Sequence, residues 1–347
     1  MRLTRRTLLA AAGAAALSRP TGAAAQAASA DLVAAARKEG EVVWYTTLIV
    51  NQAVRPLVDA FEKTYPGVKV RFVPGPPVET ATRILNEAKA GAVKADVFDG
   101  GSTFFPLHAA KLVTKYIPEA AKEWPAEYRD AEGYWTASNL YVLSPVINTD
   151  QVDPKDAPRS FEDLLAPRWK GRMAWPDTPS ASGPAGVIGN VLLSMGQEAG
   201  MAYLRKLAEQ KIANVPAVQR VVLDQCIAGE YPLVLSVYNN HADISAAQGA
   251  PVKWLVMEPM VVTFGMAGIL EDAPHPNAAK LLIEFLLGEP GQNVLREAGY
   301  LPVNPLVKPT TPELLPAFGK FKAQVISPAL FERNERDWLK ISEDLFH

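Results

Sequence analysis

Five polar side chains fall within six positions where an apolar run ends. Tyr238, Asn239, Asn240, His241 and Asp243 follow Tyr231-Pro-Leu-Val-Leu-Ser-Val. A phenol, two amides, an imidazole and a carboxylate at a strand end can ligate a metal, move a proton or hydrogen-bond a solute. Catalysis there needs a nucleophile beside a base, or a metal. Only His241 with Ser236 or Asp243 offers such a pair, in no recognised arrangement. Gly-x-Ser-x-Gly, His-Glu-x-x-His and a phosphate-binding P-loop are all missing from the sequence. The histidines are His108, His241, His275 and His347, and their spacing suits no zinc site. His241 alone sits at a strand end, so it is the candidate ligand contact among them. No metal, cofactor or catalytic residue is expected.

Three further strand ends are polar: Tyr45-Thr46-Thr47, Gly100-Gly101-Ser102-Thr103, and the stretch from Asp177 to Gly183. Ser180, Ser182 and Gly183 precede a small-residue helix. Their hydroxyls and free N–H groups suit an anion at a helix N-terminus, and equally suit simple N-capping. Gly183, Gly186 and Gly189 then make a small face for close helix packing. Arg220 either pairs an anion bidentately or is a solvated surface residue. Trp175 either stacks on a ligand ring or fills the core.

These positions need a scaffold that brings them together. Strand-like and helix-like segments alternate: strand 41–47, helix 51–63, strand 68–73, helix 80–90 and strand 95–102. That β-α-β-α-β order predicts a parallel sheet with helices on both faces. A second set follows, with strands near 171–175, 231–237, 252–257 and 261–269. Its helices fall near 197–211, 218–228, 277–287 and 291–298. The tail 312–347 reads as helical, with Trp338, Leu339 and Leu345 available for docking. Two α/β halves imply a cleft, and open parallel sheets bind ligands at the carboxyl ends of their strands.

The chain has 347 residues and 48% hydrophobic content, enough for two lobes with their own cores. No charge run or basic stripe is present, so nucleic acid is not an expected partner. Arg2, Arg5 and Arg6 ahead of an apolar stretch over 8–17, with small residues to 30, read as a cleaved export signal of the twin-arginine kind. Without the four Arg of residues 1–30, 31 basic residues face 37 acidic ones, a net of about −6. The single cysteine, Cys226, is predicted to be buried on a helix, leaving no thiol for a lipid anchor. A periplasmic protein is expected.

Four stretches carry a resemblance: Ala95-Asp-Val-Phe-Asp-Gly-Gly-Ser102, Phe161-Glu-Asp-Leu-Leu-Ala-Pro-Arg-Trp-Lys-Gly-Arg172, Gly229-Glu-Tyr-Pro232, and the run from His275 to Gly291. In this order, behind an export signal, they resemble an extracellular solute-binding protein of an ABC importer. The similar group is type II, which includes ferric-ion, thiamine, phosphonate and sugar-phosphate binders. The resemblance implies two lobes hinged by strands near 141–146 and 258–265. Lobe 1 would hold 31–142 and 262–305, and lobe 2 would hold 143–261 and 306–347. A solute closes the lobes, and the closed form docks on a membrane permease; a monomer is expected. Ferric binders of this kind carry adjacent tyrosines just after the Gly-Glu-x-Pro strand, where this chain has Asn239 and Asn240. Where they often keep a first-strand His, it has Tyr45-Thr46-Thr47. The expected solute is therefore oxygen-rich and organic, bearing a carboxylate, phosphate or phosphonate. The alternatives are a ferric-ion binder of the same family, a cleft hydrolase or transferase, and a ligand sensor.

Overall fold

The computed structural model describes residues 28–347, so the export-signal reading falls, up to residue 27, outside the described residues. The chain opens with α1 (Ala30–Glu39), β1 (Glu41–Thr46), α2 (Arg55–Thr64), β2 (Lys69–Pro74), α3 (Pro77–Lys89), β3 (Val97–Asp99), α4 (Gly101–Ala109) and β4 (Val113–Thr114). Ser29 Oγ accepts the Leu32 N–H to start α1, and Gly40, at φ 78°, ends it. The helix expected over 51–63 is present: a π-helical turn over Val50–Val54 runs straight into α2. β1 is rich in β-branched and aromatic residues and pairs parallel with both β2 and β3.

The second half contains β5 (Thr136–Asn148), β6 (Met173–Pro176), α5 (Pro184–Met195), α6 (Gln197–Ala208), β7 (Ala213–Val215) and α7 (Gln219–Ile227). It continues through β8 (Leu233–Tyr238), α8 (Asn239–Ala247), β9 (Val252–Trp254) and β10 (Met260–Leu270). The chain closes with α9 (Pro276–Leu287), α10 (Glu289–Glu297), α11 (Pro316–Gly319), β11 (Ala323–Val325) and α12 (Pro328–Phe346). β6 runs parallel to β7 and β8.

The fold is two-lobed α/β, and β5 and β10 are the strands the lobes share. They pair antiparallel from Val261↔Leu143 to Ala267↔Thr136. β10 also pairs with β3, and β5 also pairs with β8, giving the order β2-β1-β3-β10-β5-β8-β6-β7. Strands covered on both faces read as apolar runs rather than alternations. Every residue of β10 is buried, and in β5 every residue except Tyr141. One core gathers around Trp44, Phe61, Phe98 and Phe285; a second holds Trp169, Trp175, Ile188 and Leu204. A smaller cluster around Val222, Cys226 and Val234 backs the second.

The C-terminal segment divides between the lobes, which corrects its expected assignment. Leu314, Leu315 and Phe321 pack in the first core, and β11 pairs with Met260, Val261 and Val262. Ile326 joins the second core, as does α12 through Phe331 and Trp338. Nor is the segment helical from 312. Pro312 opens a single 3-10 turn and Pro316 opens the short α11, which stops where Lys320 takes a left-handed φ of 55° ahead of β11. Helix resumes where Ser327 Oγ accepts the Leu330 N–H. The small face of α5 receives this helix: a Cβ on Gly189 would stand 2.5 Å from the Trp338 ring.

Candidate functional site

β8, like β5, has one residue less buried than the rest: Tyr238, at its end. The two open residues meet: the Tyr141 and Tyr238 rings stack with centroids 4.2 Å apart at 22°. A backbone irregularity aims Tyr238. The β5–β8 register shifts between Ser144 and Val146, and Ser236, within β8, has φ 58°. A left-handed serine inside a strand is strained and turns the residues after it, as bulges beside functional sites do. Ser236 Oγ donates to Ser182 O at 2.8 Å, holding the bend. Tyr238 OH then donates to Ser182 Oγ at 3.1 Å, leaving that hydroxyl its own proton to give.

A third tyrosine comes from the other lobe. Leu301 bridges to Leu140, which sets Tyr300 beside Tyr141. Tyr300 OH accepts the Ile49 N–H at 3.3 Å. Two residues earlier in that loop, Thr47 gives its N–H, at 2.7 Å, and its hydroxyl to Asp99 Oδ1. Asp99 ends β3 and is 3% exposed. Burial raises the Asp99 carboxyl pKa against the opposing hydrogen bonds from Thr46, Thr47 and the Trp44 indole. Burial likewise raises the phenols of Tyr141 and Tyr238, and pushes Tyr300 up to about 12. The cluster therefore presents protonated phenols and aromatic faces.

His241 stands edge-on to Tyr238, with centroids 5.2 Å apart. Burial, with the positive charge of Arg220 nearby, lowers its pKa to about 4, so the ring is neutral near pH 7. Its Nδ1 has no partner. Arg220 itself is committed. Its Nη2 and Nε reach Asp224 at 2.6 and 3.2 Å, and its Nη1 donates to Ser245 Oγ at 3.0 Å. It is an exposed helix-surface ion pair rather than an open anion clamp.

The other expected site residues separate into two groups. Thr47, Ser182, Tyr238 and His241 adjoin the tyrosine cluster. Ser180 supports its edge, accepting the Ser182 N–H at 3.3 Å, and Gly183 is the buried N-cap of α5. A Cβ on Gly183 would fall 2.0 Å from Thr178 O, so only glycine fits there. Ser102 is exposed in the first turn of α4.

The second group is occupied elsewhere. Tyr45 is 4% exposed and donates its hydroxyl to Glu87 of α3 at 2.7 Å, while Arg83 covers its ring. Thr46 is fully buried and accepts the Leu48 N–H; Thr103, also fully buried, donates to Pro77 O. Trp175 is a core residue, 0% exposed, donating to Asn214 Oδ1 and meeting the Phe346 ring. Asn239 and Asn240 are 0% and 2% exposed. They open α8 instead of extending the strand, and their Nδ2 groups hold Leu314 O at 2.8 Å and Gly299 O at 2.9 Å. Buried amides seek such partners, so these two tie α8 to the first-lobe segment.

Tyr141, Asp99 and Tyr300 were not among the expected site residues. Asp99 lies in the 95–102 motif between a strand and two glycines, a legible position for an acid. Tyr141 is hidden in an apolar run, and Tyr300 follows the glycine that ends α10. Among the described residues no group of three His, Cys, Asp or Glu could hold a metal ion, and no helix is long and apolar enough to cross a membrane. A surface cavity of about 540 Å³, between α12 and the loop after β6, is lined by Asp177, Thr178, Lys340 and His347 and shares no residue with the cluster.

The chain matches the family described as bacterial extracellular solute-binding protein over residues 93–320. An "Fe(3+)-binding periplasmic protein" of Serratia marcescens is 26% identical, the match covering 78% of each chain. A "putative 2-aminoethylphosphonate-binding periplasmic protein" of Salmonella paratyphi A is 25% identical, over 73% of this chain and 74% of its own. Among solved structures, the periplasmic binding protein P5PA superposes with a TM-score of 0.69 at 22% identity, over 87% of this chain and 99% of that one. AfuA of Actinobacillus pleuropneumoniae, solved with fructose-6-phosphate bound, gives 0.69 at 20% identity, over 88% and 99%. With most of its described length matched and the same two-lobed fold, the chain belongs to the family of bacterial extracellular solute-binding proteins.

Proposed function

We propose that the protein is the periplasmic solute-binding component of an ABC importer. It captures a small oxygen-rich organic solute carrying phosphate, phosphonate or carboxylate between its lobes and delivers it to a membrane permease. The observation that carries this reading is the meeting of Tyr141, Tyr238 and Tyr300 where the crossing strands join the lobes, with Ser182 alongside. A solute touching groups of both lobes stabilises the closed state by its differential contacts there. The names of the relatives, which span phosphonate, sugar-phosphate and ferric binding, support the same range of cargo. A catalytic reading finds no support. Ser236 Oγ is bonded to Ser182 O, and Asp243 accepts from Thr311 at 2.9 Å, so neither is paired with His241.

A ferric cargo is the second reading, favoured by the three phenols and the unpartnered His241 Nδ1. Against it, buried phenols must each lose a proton to bind iron. Mass spectrometry of the solute that copurifies with natively exported protein tests both. An organic solute that saturably raises the Tm supports the first. Copurified iron with a visible phenolate-to-iron band, and no organic solute, overturns it for the second.

A further inference from the structure

A small cavity of about 40 Å³ in the second lobe touches the tyrosine cluster through Ser236. It lies where β8 bulges. Ser144 of β5 pairs with Val237 and Val146 pairs with Val234, so Leu235 and Ser236 stand against Pro145 alone. These residues line the cavity together with Asn190 of α5 and Pro259, just ahead of β10. Both crossing strands therefore contribute to its wall.

Two polar atoms in that wall have no protein partner. Ser144 is 1% exposed and Asn190 3%, and neither Ser144 Oγ nor Asn190 Oδ1 makes a hydrogen bond. Asn190 Nδ2 donates to Pro259 O at 2.6 Å, which fixes Oδ1 as the free acceptor. Ser236 Oγ gives its proton to Ser182 O and keeps lone pairs to accept with. Among the described residues that line the cavity none is titratable. A charged ligand would find no counter-charge there. An apolar one would leave Asn190 Oδ1 unmet, which is costly at this depth. Water fits both limits. It needs about 10–15 Å³ of such space and two to four polar partners, so the cavity has room for about two or three molecules.

We infer that this cavity is a water-binding site, and that Ser144 and Asn190 are positioning residues that hold Ser236 and, through it, Tyr238. Ser236 has φ 58°, a conformation that a non-glycine residue keeps only where its surroundings fix it. Ser182 O holds the Ser236 hydroxyl from one side. Water bonded to Ser144 and Asn190 holds it from the other. Ser182 Oγ also receives the Tyr238 hydroxyl, so a displaced Ser236 disturbs both ends of that bond. The inference rests on the tyrosines being the solute site, and it gives that site a support shared by β5, α5 and β8.

A high-resolution crystal structure of the natively exported protein tests the water site without any variant. Ordered water within hydrogen-bond reach of Ser144 Oγ and Asn190 Oδ1 is expected, and a dry cavity refutes it. Ser144→Ala gives a second reading in urea. If water uses the hydroxyl, the midpoint falls. Removing a buried hydroxyl that had no partner would leave the midpoint level or raise it, which overturns the inference. Positioning is read from fluorine spectra of protein labelled with fluorotyrosine, the Tyr238 resonance being assigned by its loss in Tyr238→Phe. It should shift in Ser144→Ala and stay in place in Gly189→Ala, which disturbs the packing of α5 on Trp338 instead. An unmoved resonance in Ser144→Ala, or an equal shift in Gly189→Ala, refutes the positioning role. If Ser144→Ala does not fold, Ser144→Cys, a weaker donor, is read in the same way. Each of these refutations leaves the solute-binding role intact, whereas the absence of any copurified solute removes that role and leaves the water site standing.

Discussion

Asn239→Ala is the perturbation that reads the junction between the lobes. The Asn239 side chain starts α8, which packs on the second lobe, and its Nδ2 holds Leu314 O in the first-lobe core at 2.8 Å. At 0% exposure, the bond is not in competition with water. Such a bond contributes about 1 kcal/mol net, and a buried carbonyl left unpaired costs about 1–3 kcal/mol. The substitution also removes Asn239 Oδ1, itself unpartnered, which offsets part of that loss. The expected net effect is a loss of about 1–2 kcal/mol. If the bond forms only when the lobes are closed, the loss falls on closure, and Kd for the copurified solute rises by about 5–30-fold. The urea midpoint of the empty protein then barely moves, and small-angle scattering shows a more open particle. If the bond persists in both states, the midpoint falls and Kd holds. An unchanged Kd together with an unchanged midpoint would refute the claim that this amide ties the lobes together.

Tyr238→Phe keeps the stack on Tyr141 but loses the bond to Ser182. A double-mutant cycle with Ser182→Ala, followed by urea unfolding, should return a coupling of about 0.5–1.5 kcal/mol. Trp175→Phe should lower stability through its lost bond to Asn214 while leaving solute affinity within about twofold, because this ring lies in the core; a large change in Kd would return Trp175 to the site. Gly189→Ala drives a methyl into the Trp338 ring and should cost about 1–3 kcal/mol, read as a lower Tm. His241 titrates at about 4 when folded, against an ordinary 6.5. The unfolded chain therefore takes up that proton first: stability is complete above pH 6.5 and is lost as pH falls toward 4. His241→Asn should flatten stability across that window, and an equal slope in both proteins would show that His241 does not carry it.

Much of the scaffold was legible because its signals are local. Alternating strands and helices over 41–102 and the buried Cys226 each follow from neighbours along the chain, whereas α1 was not among the expected elements. The site was legible only as a set of strand ends. Thr47, Ser182, Tyr238 and His241 were named from that pattern and do adjoin the cluster. Trp175, Tyr45, Thr103 and the two asparagines share the same pattern, but their partners are remote in sequence: Asn214, Glu87, Pro77, Leu314 and Gly299. A polar residue at a strand end shows that a hydrogen bond is needed there, and does not show whether a solute or the protein supplies it.

Residue order alone determined the α/β class, the absence of the common hydrolase and metalloprotease motifs, and the family resemblance, since periodicity and motif spacing are properties of the chain. Tertiary structure decided which groups face each other. It took a register shift at Ser236 to aim Tyr238 at Tyr141, a bridge from Leu301 to Leu140 to bring Tyr300 alongside, and the N–H and hydroxyl of Thr47 to hold Asp99. These are contacts between residues far apart in the chain, and they exist only once the crossing strands have paired.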